Sequence, residues 1–478
     1  MSGNVMDDVR GCLIDGRWQQ GTSGTDVVLT SAADGTEMTR FSGAGRADAE
    51  RAVAAARAAW PAWASLSVGE RGAILLRTAD LLEKRAAEIA QCCALEIGSP
   101  LMVAAGIHAH LPAAAIRDVV AQAEQFRLEE EVGNSLVIHE PAGVAVAITA
   151  WNYPLYQFAT KVAPALAAGC TVVAKPSELA PLSTIIFFEA LVEAGLPTGV
   201  ANLVIGTGPD VGEPLVTHPD VDVVSFTGST KVGQRIGELA APGVKRVALE
   251  LGGKSANVIL DDADLAVAVP ESVRGWLVNN SQTCAALTRL VVPRTKLAEI
   301  EEALVDVLAA SQLGHPLAEG TTVGPVISAA QRDRVVGYIE SGLAEGARLL
   351  AGGPERPAEL PDRGNYVSPT VFTDVTPDMR IAQEEIFGPV LCVIPVDSED
   401  EAVAVANGTP YGLSGAVWAG TEERAMSVAR RLRTGQVAIN GGGFNLQAPF
   451  GGYKLSGVGR EGGRFGLAEY FETKAIQR

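Results

Sequence analysis

Between residues 46 and 130 apolar positions recur every three to four residues, as in AERAVAAARAAWPAW and GAILLRTADLLEKRAAEIAQ. That spacing predicts amphipathic helices. From residue 135 the texture changes, and SLVIHEPAGVAVAITAW reads as extended segments with a turn at Glu140 and Pro141. Across 171–260 short β-rich runs alternate with helical patterns. TVVAK precedes PSELAPLSTIIFFEALVEAG, NLVI precedes GTGPDVGEPLVTH, and VVSF precedes TGSTKVGQRIGELA before RVALE. Such alternation predicts βαβ units on a parallel sheet. A second alternating stretch covers 255–440, with helices expected near 294–311 and 328–346 and strands near 289–293, 390–396 and 436–440. The tail from 440 is glycine-rich (INGGGFNLQAPFGGYKLSGVGREGGRFG) and reads as a loop lining a site.

At 478 residues the chain exceeds one ordinary core, so two or three domains are expected. The net charge of −18 and a pI near 4.8 count against nucleic acid and anionic membrane as partners. A mean hydropathy of +0.18 fits a large core or buried subunit interfaces. MSGNVMDDVR has no basic, apolar signal-peptide pattern, and runs such as AGVAVAITAW are too short to span a bilayer. A cytoplasmic protein is expected. The cysteines, Cys12, Cys92, Cys93, Cys170, Cys284 and Cys392, lack framework spacing and read as free thiols. Of these, Cys92, Cys93 and Cys170 read as core. The charged runs 129–131 and 261–264 read as solvated turns or helix caps. His108 and His110 stand two apart, the wrong spacing for one helix face, and no metal site is expected.

Ligands of an open parallel sheet bind at the carboxyl ends of its strands, and three strand ends carry suitable residues. Lys175-Pro176-Ser177-Glu178 offers a donor and a carboxylate for ribose hydroxyls. Gly206-Thr207-Gly208-Pro209-Asp210-Val211-Gly212 is an irregular glycine-rich turn, weak by itself. Phe226-Thr227-Gly228-Ser229 opens a helix whose first turn can meet a phosphate, though Ser229 reads equally well as an ordinary cap. Together they point to a dinucleotide. Cys284, in NNSQTCAAL, reads as either a buried thiol or a nucleophile. Glu250 and Asn152 end strands, where each has a plain reading as a turn residue.

In chain order WNYP at 151–154, KPSE at 175–178, FTGSTKVG at 226–233, ELGGKS at 250–255, SQTC at 281–284, EEIFGP at 384–389 and PFGGYKLSGVGRE at 449–461 resemble the aldehyde dehydrogenase superfamily. The resemblance implies an α/β fold with a Rossmann-like cofactor domain at 1–122 and 142–252, a catalytic domain at 253–455, and oligomerisation segments at 123–141 and 456–478. It implies Cys284 as nucleophile, Asn152 and the Cys284 N–H as oxyanion hole, and Glu250 as base for the deacylating water. Cofactor contacts would come from Ile148, Thr149, Ala150, Trp151, Lys175, Ser177, Glu178, Gly208, Gly212, Phe226, Thr227, Gly228, Ser229, Gly233, Leu251, Gly252, Glu385 and Phe387. The aldehyde would meet Tyr153, Tyr156, Gln157, Thr160, Thr283, Ala285, Phe444 and Phe450. Since none of these is Arg or Lys, the expected substrate is an uncharged apolar or aromatic aldehyde.

Glu178 favours NAD over NADP, because a carboxylate there repels a 2′-phosphate. Family branches that pass the acyl group to coenzyme A generally lack the ELGGKS glutamate, so Glu250 favours hydrolysis. The competing readings are an NADP-dependent semialdehyde dehydrogenase and a non-catalytic nucleotide-binding relative. The chain departs from most members at Ser281, where they carry glycine. It also stops at TKAIQR, where many relatives continue with another strand. A homodimer or homotetramer is expected, with the tetramer the more doubtful.

Overall fold

The computed structural model describes residues 9–358 and 360–478. Its largest sheet has eight strands. Five are parallel, in the spatial order Arg246–Glu250, Val223–Thr227, Val144–Ile148, Thr171–Lys175 and Ala201–Val204. Cys12–Ile14 and Arg17–Gln19 extend one edge, and Gly457–Val458 pairs antiparallel with Arg246–Glu250 at the other. Every residue of Val144–Ile148 is buried, as a parallel strand covered on both faces requires. Its alternate residues feed two cores, Val144, Val146 and Ile148 on one side and Ala145 and Ala147 on the other. Fully burying each such valine or isoleucine contributes about 1.5–3 kcal/mol.

The second sheet runs Arg348–Ala351, Thr370–Thr373, Val390–Val396, Arg289–Pro293, Ala256–Ile259, Gly415–Trp418 and Ala438–Ile439, parallel except at its first pair. A third, antiparallel sheet joins Phe471–Gln477 to Ser135–Pro141 and Glu129–Val132. The tail after the last motif is itself a strand. Glu129–Val132 is an exposed edge strand rather than a turn, while Asp264 is a helix cap that accepts from the Ala266 N–H. The turn expected at Glu140 and Pro141 lies beyond them, at Ala142 and Gly143, because Ser135–Pro141 stays paired along its whole length. Four short strands between residues 12 and 42 escaped the sequence reading.

The predicted N-terminal helices form Arg46–Ala64, Val68–Lys84, Ala86–Ile97 and Leu111–Gln125. Between them lies a π-helical turn, Ala104–Ala109. The helix Pro154–Ala168 starts with proline in its first turn and ends at Gly169, φ 99°, and almost all of it is buried. Cys92, Cys93 and Cys170 are buried free thiols. Among the described residues no helix is long and apolar enough to cross a membrane.

Candidate active site

The register of the large sheet sets Lys175, Ile148 and Phe226 side by side, and Thr227 beside Glu250. The carboxyl ends of four parallel strands thus form one edge. Thr149 continues it by donating its N–H to the Lys175 carbonyl at 3.1 Å. Beyond this edge a cavity of about 170 Å³ reaches Cys284. Ala150, Trp151, Asn152, Thr227, Gly228, Ser229, Leu251, Gly252, Glu385 and Phe387 line it. The cavity also takes in Gln331 and Arg334, which the motifs did not point to. Their only signal was a polar residue at each end of one helical turn, AAQRDRVV.

Several of these residues hold one another. Gln331 donates to the carbonyls of Ile386 and Phe387 at 3.2 and 2.9 Å, fixing Phe387 at φ 64°, a left-handed conformation rare for a bulky residue. Trp151 meets the Phe387 ring edge-on, 5.2 Å between centroids. Arg334 donates to the Glu385 carbonyl at 2.7 Å, and the Gly253 N–H donates to the Glu385 carboxylate at 3.0 Å. Burial nevertheless raises Glu385 to about 7.

Farther along the edge, Lys175 reaches the Pro176 carbonyl at 2.9 Å and the Glu178 carboxylate at 3.4 Å. The Ser177 hydroxyl accepts from the Leu179 N–H at 3.3 Å. Gly208–Gly212 form a π-helical turn, and a Cβ on Gly212 would touch the Lys175 side chain at 3.7 Å. Ser229 caps the helix Thr230–Ala240, and Gly233 lets that helix close onto Leu251. These residues fit a dinucleotide: a helix N-terminus for phosphate, a lysine and a carboxylate for hydroxyls, and a cavity ending at a thiol.

Cys284 follows three successive residues with positive φ: Asn279 at 53°, Asn280 at 58° and Ser281 at 59°. Side chains hold this left-handed stretch. Asn280 donates to the carbonyls of Gly98 and Pro325 and accepts from the Gly324 N–H. Ser281 donates to the Trp276 carbonyl at 2.5 Å. The Asn152 amide donates to the Gln282 carbonyl at 3.1 Å, which fastens it to the loop. Burial first, then Glu250 and Glu385, push the Cys284 thiol up to about 12, while the Ala285 N–H pulls the other way.

Glu250 is buried, and burial first, then Glu461, raises it well above the usual carboxylate range. Lys161 and Arg460 oppose that shift. Lys161 pairs with Glu461, which also accepts from Thr160 at 3.0 Å. The glycine-rich tail does wall the site: a Cβ on Gly451 would stand 2.6 Å from a Glu250 carboxylate oxygen. A Cβ on Gly253 would stand 2.5 Å from the Cys284 carbonyl oxygen.

The expected aldehyde contacts divide. Tyr156, Phe444 and Phe450 form an aromatic chain with centroid spacings of 6.4 and 6.2 Å, and Phe444 is 53% exposed. Tyr153 and Thr283 share a 2.7 Å hydrogen bond beside Cys284, and Ala285 follows it. Gln157 and Thr160 are engaged in hydrogen bonds within the protein. Gln157 is buried, accepts from the Ala150 N–H at 2.8 Å and donates to the Asn152 side-chain oxygen at 2.7 Å. Thr160 is committed to Glu461. Both brace neighbouring residues, because their polar ends are saturated inside the protein.

A family model described as the aldehyde dehydrogenase family matches residues 18–476. The chain is 45% identical over 479 residues to 3-succinoylsemialdehyde-pyridine dehydrogenase from a Pseudomonas sp., covering 98% of this chain and 99% of that one. It is 43% identical over 484 residues to betaine aldehyde dehydrogenase from Bacillus subtilis (strain 168), covering 98% and 96%. Among solved structures it is similar to a cysteine-to-alanine mutant of aldehyde dehydrogenase C from Pseudomonas syringae, complexed with NAD+ and octanal. The TM-score there is 0.96 at 46% identity, covering 98% of this chain and 96% of that chain.

Proposed function

The chain belongs to the aldehyde dehydrogenase family, and from that premise we propose that it oxidises an uncharged apolar or aromatic aldehyde to the carboxylic acid with NAD+, through Cys284. The observation that carries the reading is the cavity in which Thr227, Gly228 and Ser229, at the end of one parallel strand, share a wall with Asn152 and Cys284. NAD+, when bound there, supplies the acceptor for hydride. Ser229 would meet its phosphates, Lys175 and Glu178 a ribose, and Glu385 and Phe387 the nicotinamide end.

The Cys284 thiol gives its proton to water, and its sulfur attacks the aldehyde carbon, making a thiohemiacetal oxyanion. The second N–H of the Asn152 amide and the Cys284 backbone N–H would meet that oxygen. Gln157 supports this by holding the Asn152 side-chain oxygen, which orients its amide. Loss of hydride leaves a thioester on Cys284. Glu250 takes a proton from water, and the hydroxide attacks the thioester and frees the acid. A carboxyl group raised by burial suits this work, since it holds the proton that it takes from water more firmly than an exposed carboxylate would.

The aromatic chain of Tyr156, Phe444 and Phe450 supports an apolar or aromatic substrate. The octanal named for the Pseudomonas syringae structure agrees with it. Glu178 supports NAD+ over NADP+.

The test is NADH formation at 340 nm across an aldehyde panel, with wild type and Cys284→Ala. Activity on hexanal and benzaldehyde that vanishes in the variant is expected. Activity that survives in Cys284→Ala refutes the mechanism. A higher kcat/KM for succinic semialdehyde than for hexanal or benzaldehyde refutes the substrate class.

A further inference from the structure

His108 lies in the π-helical turn Ala104–Ala109, a rare local geometry that is frequent at functional sites. It is 1% exposed. Its ring stacks on Tyr153 with centroids 5.0 Å apart and planes 18° from parallel. The Tyr153 hydroxyl shares its 2.7 Å hydrogen bond with Thr283, the residue before Cys284. On its other side His108 Nε2 lies 3.3 Å from the Asn279 side-chain oxygen.

The tautomer follows from the neighbours. The Asn279 amide nitrogen donates to the Asn152 carbonyl at 2.9 Å and the Gln282 carbonyl at 3.4 Å. That fixes the orientation of the amide and turns its oxygen to His108. Nε2 must then carry the hydrogen. Burial lowers His108 to about 4, so the ring stays neutral at ordinary pH and keeps this single donor.

We propose that His108 is a positioning residue that pins the 279–284 loop at both ends, through Asn279 at its start and through Tyr153 and Thr283 next to Cys284. This rests on the reading of Cys284 as nucleophile. Asn279 is a left-handed residue in this loop, and its amide also grips the Asn152 carbonyl, so one imidazole couples the nucleophile loop to the proposed oxyanion donor. No charge change is involved; the ring acts by its shape and its one N–H.

The test compares His108→Leu with His108→Gln, whose amide N–H reaches about as far as imidazole Nε2–H. Three quantities are read: kcat and KM for hexanal, the rate at which iodoacetamide alkylates Cys284 as followed by mass spectrometry, and the melting temperature. The leucine variant is expected to lose about tenfold or more in kcat, as a buried acceptor loses its donor. Its KM should stay within about twofold, its alkylation rate should change, and the glutamine variant should restore most of both rates. Wild-type kcat and alkylation in the leucine variant, or equal loss in both variants, overturns the proposal. If His108→Leu does not fold, Tyr153→Phe decides. It keeps the ring stack but cuts the link to Thr283, and unchanged kcat there overturns the proposal. Failure of the underlying reading shows separately, as activity that survives in Cys284→Ala.

Discussion

In the proposed mechanism Glu250 combines two demands that pull against each other, burial and a charge when it acts as base. Burial and Glu461 raise its proton affinity, so at low pH it is protonated and idle. The deacylation rate should therefore climb with pH through a range above the ordinary carboxylate value of about 4.3. Glu250→Gln should remove that limb and lower steady-state turnover by about 10²–10⁴. Rapid mixing should still record a burst of NADH, because the thioester forms without the base. Asn152→Ala should cost about 2.7–4 kcal/mol of barrier in the first step and abolish the burst rate. Glu178→Gln should raise the ratio of kcat/KM for NADP+ over NAD+, checked by parallel saturation curves. Cys284, Asn152 and Glu250 were singled out in the sequence only through the motifs that carry the family resemblance, since each alone also has a plain structural reading. The hydrogen bond from Gln157 to Asn152 and the contact of His108 with Asn279 were passed over there, because they join partners 5 and 171 residues apart.

Strands and helices followed their hydrophobic period closely. Arg289–Pro293 and Val390–Val396 fall where the apolar runs put them. What periodicity could not show is local handedness. Three left-handed residues in succession, none of them glycine, have no apolar signature. Ser281 illustrates the cost. A serine at φ 59° pays a steric penalty that glycine escapes, and its hydroxyl bond to the Trp276 carbonyl offsets that penalty. Ser281→Ala keeps the penalty and loses the bond, so it should melt lower than wild type by an amount equal to about 1–3 kcal/mol. Ser281→Gly loses the bond but relieves the backbone, so it should melt between the two. Differential scanning fluorimetry on all three proteins checks that order.

At the scale of the molecule, alternation of strand and helix foretold the parallel sheets, but not which distant segments close them. Gly457–Val458 completes the edge beside Glu250, and Phe471–Gln477 completes the sheet built on Ser135–Pro141. Deleting 471–478 leaves Ser135–Pro141 with one unpaired edge. Such a truncation should lower the melting temperature and change the assembly seen by size-exclusion chromatography with light scattering. The buried pair of Lys161 and Glu461 spans 300 residues of chain. A ribosome adding about 5–20 residues per second would need roughly 15–60 s to reach the second partner after making the first. Throughout that interval the lysine lies in a segment that the finished protein buries almost completely, and its direct ion-pair partner has not yet been made. The pair of Lys161 and Glu461 can therefore form only late in synthesis, after Cys284 itself has been made.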